Sequence, residues 1–162
     1  MAQLEISPYD WKKYEGKELG TSDWYEVTQD EITSYGKVVG DMQWIHTDPE
    51  RAKKESPYGT TVAHGNWLIS IINPKLLAQL YTPINTRMII NYGWNKVRFP
   101  APTPVGSRIR LRAKVGDVRE IGKDGYDVEF EYIVYVENQS KPCCVASKIT
   151  RYYSFYRTSK TI

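Results

Sequence analysis

Between Gly65 and about Tyr81, apolar residues stand nearly all round a helical wheel: Trp67, Leu68, Ile69, Ile71, Ile72, Leu76, Leu77 and Leu80. A helix with no polar face has to be buried on every side. Directly after it the hydrophobic period changes from about 3.6 residues to about 2. Met88, Ile90 and Tyr92 alternate, then slip phase near Gly93, which predicts a bulge. Ile109, Leu111, Ala113 and Val115 alternate with Arg108, Arg110, Arg112 and Lys114. Tyr126, Val128, Phe130, Tyr132 and Val134 alternate with Asp127, Glu129 and Glu131, and Asp124-Gly125 predicts the turn between the two runs. A last strand is expected roughly from Cys143 to Phe155. An antiparallel sheet with one apolar face can wrap round a single apolar helix and bury it, so the fold class is α+β with a sheet wrapped around a central helix. Pro74 should kink or end that helix partway, and Pro100 to Pro104 cannot lie in a central strand.

The 162 residues suffice for one domain spanning 1–162, with a core but no room for two full ones. Lys and Arg number 22 against 19 Asp and Glu, a net charge of +3, too small an excess to imply nucleic acid as the main partner. The opening residues show no basic region followed by an apolar one, and no apolar run approaches membrane-spanning length, so neither a signal peptide nor a membrane partner is expected. Cys143 and Cys144 are the only cysteines, and adjacent cysteines rarely meet disulfide geometry. Two reduced thiols in a strand point to a cytoplasmic protein. No phosphate-binding glycine motif, dinucleotide fingerprint or metal-ligand spacing is present, so neither cofactor nor metal is expected.

In the amino-terminal half, Ser22 to Thr28 reads as a short strand. Thr28-Gln29-Asp30-Glu31 has the form of a capping box opening a helix with Ile32, Tyr35 and Val39 on one face and a stop at Gly40. Thr47-Asp48-Pro49-Glu50 repeats the capping logic, predicting a short helix from Arg51 to Glu55 that ends at Ser56-Pro57-Tyr58-Gly59. The chain has only two histidines, and both fall just beyond the first helix: Gly40-Asp41-Met42-Gln43-Trp44-Ile45-His46, then Val62-Ala63-His64-Gly65. An acid and an imidazole can exchange protons near neutral pH once their surroundings tune them. Five residues along a straight helix would put Asp41 and His46 on different faces, so they converge only if the backbone bends. The stop at Gly40 and the restart near Thr47 supply a bend. The plainer reading is an Asp that caps a turn and a half-buried, satisfied His. For His64 that plainer reading is preferred: it positions the helix start. Trp44 and Trp67 are expected to pack. The Arg108, Arg110, Arg112, Lys114 stripe could meet phosphates, but pairing with Asp127, Glu129 and Glu131 across strands is the favoured reading.

Asp41, Gln43 and His46, followed by Ala63-His64-Gly65, resemble the signature of the MaoC-like (R)-specific enoyl-CoA hydratases, whose pattern is Asp-x-Asn-Pro-Leu-His. Gln43, Trp44 and Ile45 depart from it, in a form similar to a branch that includes nodulation protein N. The resemblance continues through Val97-Arg98-Phe99-Pro100-Ala101-Pro102 and Val105-Gly106. It implies a hot dog fold, an edge-to-edge homodimer, and hydration of a trans-2-enoyl-CoA to an (R)-3-hydroxyacyl-CoA, or the reverse dehydration. It also implies that Asp41 and His46 are catalytic, holding a water between them, and that the Gly65 N–H is an oxyanion hole for the enolate. Gln43 could orient water or substrate in place of Asn. The division of acid and base roles stays open, as do acyl chain length and CoA versus acyl carrier protein. Two other functions compete: a hot dog acyl-CoA thioesterase and a non-catalytic acyl-thioester-binding subunit. The thioesterase that uses a carboxylate lacks support, because no acid lies between Gly65 and Tyr81. The binding subunit gains nothing from two titratable groups.

Overall fold

A computed structural model describes residues 3–155. The apolar run from Gly65 forms α4 (Gly65–Ile71), widens into a π-turn over Ile72–Leu76, and closes in a 3-10 turn over Leu77–Gln79. Pro74 lies inside the π-turn. Its missing N–H and its ring's need for space displace the regular ladder there, the effect expected of that residue. Trp67, Leu68, Ile72, Leu76 and Leu77 are all nearly or fully buried.

Four long strands follow: β5 (Thr86–Arg98), β6 (Arg108–Ile121), β7 (Gly125–Val136) and β8 (Cys144–Ser154). With β2 (Glu18–Thr21) they form an antiparallel sheet in the order β2-β6-β7-β8-β5, and β3 (Tyr25–Glu26) joins β6 beside β2. Alternation decides which face each strand presents. Ile109, Leu111, Ala113 and Val115 of β6 and Val128, Phe130, Tyr132 and Val134 of β7 are fully buried in one core with the residues of α4. The expected slip near Gly93 is present as a register shift between Asn91 and Gly93. The wrapped-helix architecture of the hot dog fold is therefore the one this chain adopts.

Several local expectations need correction. Of the predicted strand Ser22 to Thr28 only Tyr25–Glu26 forms, and β2 stops at Thr21, because the Ser22 hydroxyl accepts from the Leu111 amide (2.9 Å) while the Ser22 amide donates to the Leu111 carbonyl (2.8 Å). A side chain thus takes the place of a main-chain acceptor, and the ladder resumes only at Tyr25. The turn between β6 and β7 is Gly122-Lys123-Asp124, with Gly125 already in β7. The strand through Tyr126 and Glu137 is not an edge: β7 lies between β6 and β8, and the uncovered edge is β5. Met88, Ile89, Ile90 and Tyr92 on that edge are all exposed.

An element that periodicity does not announce closes the open end of the core. β1 (Leu4–Ile6) pairs in parallel with β4 (Tyr81–Pro83), and a 3-10 helix over Pro8–Tyr14 follows β1. It drives Trp11, fully buried, among Tyr81, Phe130 and Tyr152, with ring centroids 5.0, 5.3 and 5.1 Å away. The contacts to Tyr81 and Phe130 are edge-on, and such pairs add about 0.5–1.5 kcal/mol each beyond the burial itself.

Candidate active site

The first helix, α1 (Gln29–Val39), starts as its sequence requires: the Thr28 hydroxyl accepts from the Glu31 amide at 3.3 Å. The reciprocal half of the capping box is absent, since the Glu31 carboxylate accepts from the Tyr25 hydroxyl (2.6 Å) instead. Ile32 is buried and Tyr35 half-buried, but Val39 is exposed, because the last turn runs past the surface that covers the others. Gly40 ends the helix with φ +79°, a conformation that an L side chain rarely adopts. The chain then folds back, and the Asp41 carbonyl comes to rest against Gly36. A Cβ built at Gly36 would lie 2.6 Å from that oxygen and 3.5 Å from Cε1 of His64. Only glycine fits there, a requirement no sequence pattern reveals.

The restart comes earlier than Thr47. A single helical turn, α2 (Trp44–Thr47), carries His46, and Asp48 caps α3 (Pro49–Glu55) by accepting from the Arg51 amide at 2.9 Å. Four hydrogen bonds hold His46 and the residues beside it. The Val62 amide donates to the Ile45 carbonyl (3.1 Å), the Gln29 side-chain amide donates to the His46 carbonyl (2.8 Å), and the Gln29 oxygen accepts from the Thr61 hydroxyl (2.6 Å). The ring itself donates from Nδ1 to the Val62 carbonyl at 2.6 Å. A carbonyl only accepts, so Nδ1 carries the proton, and in the neutral ring Nε2 is left as a base. Gln29 and Thr61 were not among the residues singled out from sequence. Their polar types are unremarkable until the fold brings them together.

Thr61 to Ala63 is clamped by Val105 and Thr103: the Ala63 amide donates to the Thr103 carbonyl (2.8 Å) and the Val105 amide to the Thr61 carbonyl (2.9 Å). This delivers His64 to the N-cap of α4. His64 is buried, yet its side chain makes no capping bond. Its ring stacks on that of His46, with centroids 3.8 Å apart and planes 27° from parallel. Nε2 donates to the Asp41 carbonyl at 3.0 Å and lies 3.8 Å from the Asp41 carboxylate. His64 therefore touches both members of the proposed dyad, in addition to marking a helix start.

Asp41, His46 and His64 form one cluster, in which a carboxylate oxygen and a ring nitrogen from each histidine lie within 4.8 Å of one another. The Asp41 carboxylate faces outward, about half exposed, and accepts weakly from the Gln43 amide at 3.4 Å. The donor set is a poor fit for a structural or catalytic zinc, which takes three or four converging ligands. Here Nδ1 of His46 and Nε2 of His64 are committed to carbonyls, and the remaining His64 nitrogen, Nδ1, is buried without a partner. Proton transfer to and from a small molecule at the cluster mouth suits the arrangement better.

Gly65 is the first residue of α4, and among the described residues no group accepts from its N–H. Phe99 covers the Cα: a Cβ at Gly65 would come within 2.7 Å of its ring. Beside Gly65 lies a cavity of about 230 Å³ with Ile45, Val62, Leu68, Phe99, Pro102 and Cys143 in its wall. The cavity shares Ile45 and Val62 with the anchorage of His46. Burial pushes the thiol of Cys143 up from its ordinary value and that of Cys144 up to about 12, so both are inert hydrophobes near neutral pH. Gln43 is exposed, and its side-chain amide bonds to none of the described residues. Trp44 lies under the Arg51 guanidinium (4.5 Å), and Trp67 is core. Three members of the basic stripe of β6 are ion-paired, Lys114 with Glu131 as expected, Arg108 with Glu137 and Arg112 with Glu18, while Arg110 lies over the Trp24 ring.

Residues 11–138 match the family model described as a MaoC like domain. The chain is 45% identical over 137 residues to 3-hydroxyacyl-thioester dehydratase Z of Mycobacterium tuberculosis, covering 85% of this chain and 89% of that one. It is 35% identical to nodulation protein N of Rhizobium leguminosarum bv. viciae, over 90% of this chain and 91% of that one. The MaoC-like dehydratase from Rhodospirillum rubrum, at 18% identity, shares the fold with a TM-score of 0.70 over 88% of this chain and 94% of its own. The chain belongs to the MaoC-like domain family and is an enzyme of its dehydratase class.

Proposed function

We propose that the protein catalyses (R)-specific hydration of a trans-2-enoyl-CoA to the (R)-3-hydroxyacyl-CoA, or the reverse dehydration, with Asp41 and His46 activating water. The observation that carries this reading is the convergence of the Asp41 carboxylate and the His46 ring within 4.8 Å, with His46 held by Nδ1 on the Val62 carbonyl. That anchorage favours His46 as the base. Nε2 takes a proton from water while the Asp41 carboxylate accepts the water's other O–H and orients it. The water oxygen bonds to C3, the π electrons move onto the thioester oxygen, and the Gly65 N–H stabilises the resulting enolate. The imidazolium returns its proton to C2 from the same face, which gives syn addition and restores the base. In dehydration the same ring takes the C2 proton and delivers it to the departing hydroxyl. Contacts to the thioester's carrier, far from C2 and C3, supply binding energy. Gln43 has a route to the water only through its exposed side chain, and we assign it an orienting role subordinate to Asp41.

The exposed β5 edge supports a homodimer in which two β5 strands pair. A long edge strand with Met88, Ile89, Ile90 and Tyr92 uncovered is otherwise a liability. Light scattering should give twice the chain mass, and a clean monomer would remove this part of the proposal.

The test of the reaction is loss of the conjugated enoyl-thioester absorbance of crotonyl-CoA, run beside Asp41→Asn with a free-thiol assay and chiral analysis. Dyad-dependent loss without thiol release, yielding (R)-3-hydroxybutyryl-CoA, is the expected result. Thiol release would point to a thioesterase. Tight binding of crotonyl-CoA and longer enoyl-CoAs without turnover would point to a binding subunit.

A further inference from the structure

We propose that His64 is a positioning residue for the Asp41–His46 pair: in its neutral Nε2–H form it holds the Asp41 main chain and supports the face of the His46 ring. The kinetic part of this inference rests on the hydration reading above; the structural part does not. Three observations support it. First, the side chain does nothing for the helix it precedes, since no capping bond is made. Second, it spends its one hydrogen bond on the Asp41 carbonyl (3.0 Å), while its ring lies 3.8 Å from that of His46. Third, Nδ1 is buried without a partner. A residue present for packing alone could be Phe or Leu and would leave no orphaned nitrogen; histidine adds a donor at the tip of a flat ring.

The surroundings fit a clamp. Tyr35 packs on the ring from α1 (centroids 5.1 Å), Gly36 leaves room at Cε1, and His46 stacks on it (centroids 3.8 Å). His64 is thereby fixed by α1 and α4, and it passes that fixity to two segments with little of their own. Asp41 sits in a loop, and His46 sits on a single helical turn. The same geometry sets the two imidazoles in opposite forms: His46 protonated on Nδ1 by its bond to Val62, His64 protonated on Nε2 by its bond to Asp41.

The chain's two histidines make this directly observable. Ring ¹⁵N spectra of the full chain, recorded where both imidazoles are neutral, should show one Nδ1–H and one Nε2–H form, with His64 assigned by its loss in His64→Gln. Two Nε2–H rings, or two rings exchanging freely between forms, would overturn the inference. In kinetics, His64→Phe keeps the flat ring and removes the donor. Its kcat should fall about 100-fold with KM within about threefold, as expected for a displaced reacting group. In His64→Gln an amide N–H lies the same number of bonds from Cβ as Nε2, and kcat should recover to within about tenfold of wild type. A folded His64→Phe protein with wild-type kcat would overturn the proposal. If the variants fail to fold, the unassigned wild-type spectrum still decides, because one Nδ1–H and one Nε2–H ring are expected and two rings of the same form would overturn the inference. If wild type hydrates no enoyl thioester, the hydration reading fails while the spectrum continues to test His64.

Discussion

The outer face of the sheet and the mouth of α4 are both rich in polar side chains, but they treat them in opposite ways. On the sheet, Arg151 grips Asp127 with two bonds of 2.7 and 2.8 Å, and Arg112 grips Glu18 with bonds of 2.6 and 2.9 Å. Arg110 lies over the Trp24 ring at 4.5 Å. These charges are numerous and largely answered. At the mouth of α4 the polar groups are few and incompletely answered: a half-exposed carboxylate, a His64 nitrogen with no partner, and a Gly65 amide with no acceptor among the described residues. Charge density draws the eye to the sheet, but unmet hydrogen-bonding capacity marks the site. Unmet groups cost free energy when buried, and the structure around them must hold them in place.

The hardest test of that contrast is removal of the dyad. Asp41→Asn and His46→Ala should each lower kcat about 10²–10⁴-fold. The double variant should lose little more than either single one, as the proposed action of both on one water requires. Circular dichroism should show both variants folded, since Asp41 is exposed and His46 contributes one ring hydrogen bond worth about 1 kcal/mol. A large loss of stability with unchanged kcat would reduce both residues to structural parts.

Gly36→Ala tests the scaffold behind the site. In an ordinary helix interior this change stabilises by about 0.8–1.0 kcal/mol. Here the new methyl meets the Asp41 carbonyl, which is main chain and tied to His64. The sign should reverse, to a loss of about 1–3 kcal/mol in urea unfolding, as for overpacked interiors. Activity should fall as Asp41 is displaced. A stabilised Gly36→Ala protein would mean that the loop after α1 yields freely.

The same contrast explains what could be read without coordinates. The sheet was legible because each strand of β6 and β7 has two faces in different solvents, and period 2 records that in every residue. The Thr28 cap, the Gly40 stop and the effect of Pro74 were legible because they are local, and the second cap was legible to within one residue, since Asp48 takes the place expected of Thr47. Asp41 and His46 stood out by residue type and by resemblance. What holds them did not. Gln29, Gly36, Thr61 and His64 lie on four separate segments, and their meaning is a distance that exists only after folding. Trp11 escaped for a similar reason: a short strand and a 3-10 helix carry too few residues to display a period. Ser22 broke a predicted strand through one side-chain bond, which alternation cannot encode.

Lys148 is an unanswered charge of another kind, and it sharpens the comparison. It is buried on the inner face of β8, with the Trp94 ring 5.2 Å from its nitrogen and no carboxylate partner among the described residues. Burial lowers its pKa from 10.5 to about 8. The folded value lies below the unfolded one, so between pH 8 and 10.5 the unfolded chain binds the extra proton and stability rises with pH. At pH 7 the penalty is fully present, with an upper bound of about 3 kcal/mol. Lys148→Met should therefore be as stable as wild type or up to ~2 kcal/mol more so at pH 7, and the gain should shrink by pH 9.5. The difference between the two proteins isolates this lysine, because every other titrating group is common to both. A variant weaker than wild type at pH 7 would mean that the amine has an anionic partner.

The smallest effect should come from the most conspicuous charges. Arg112 and Glu18 make a two-bond ion pair, but both side chains are about half exposed, at 53% and 46%. Water and salt screen such a pair, and ordering two long side chains offsets much of the attraction. Glu18→Gln should change stability by less than about 1 kcal/mol, and by less still at high salt. It should leave kcat for the proposed hydration unchanged, because the sheet face bearing the pair is opposite the one that packs on α4. A substantial loss of kcat in Glu18→Gln would break the contrast between the two regions, since it would require the paired outer face to take part in the chemistry.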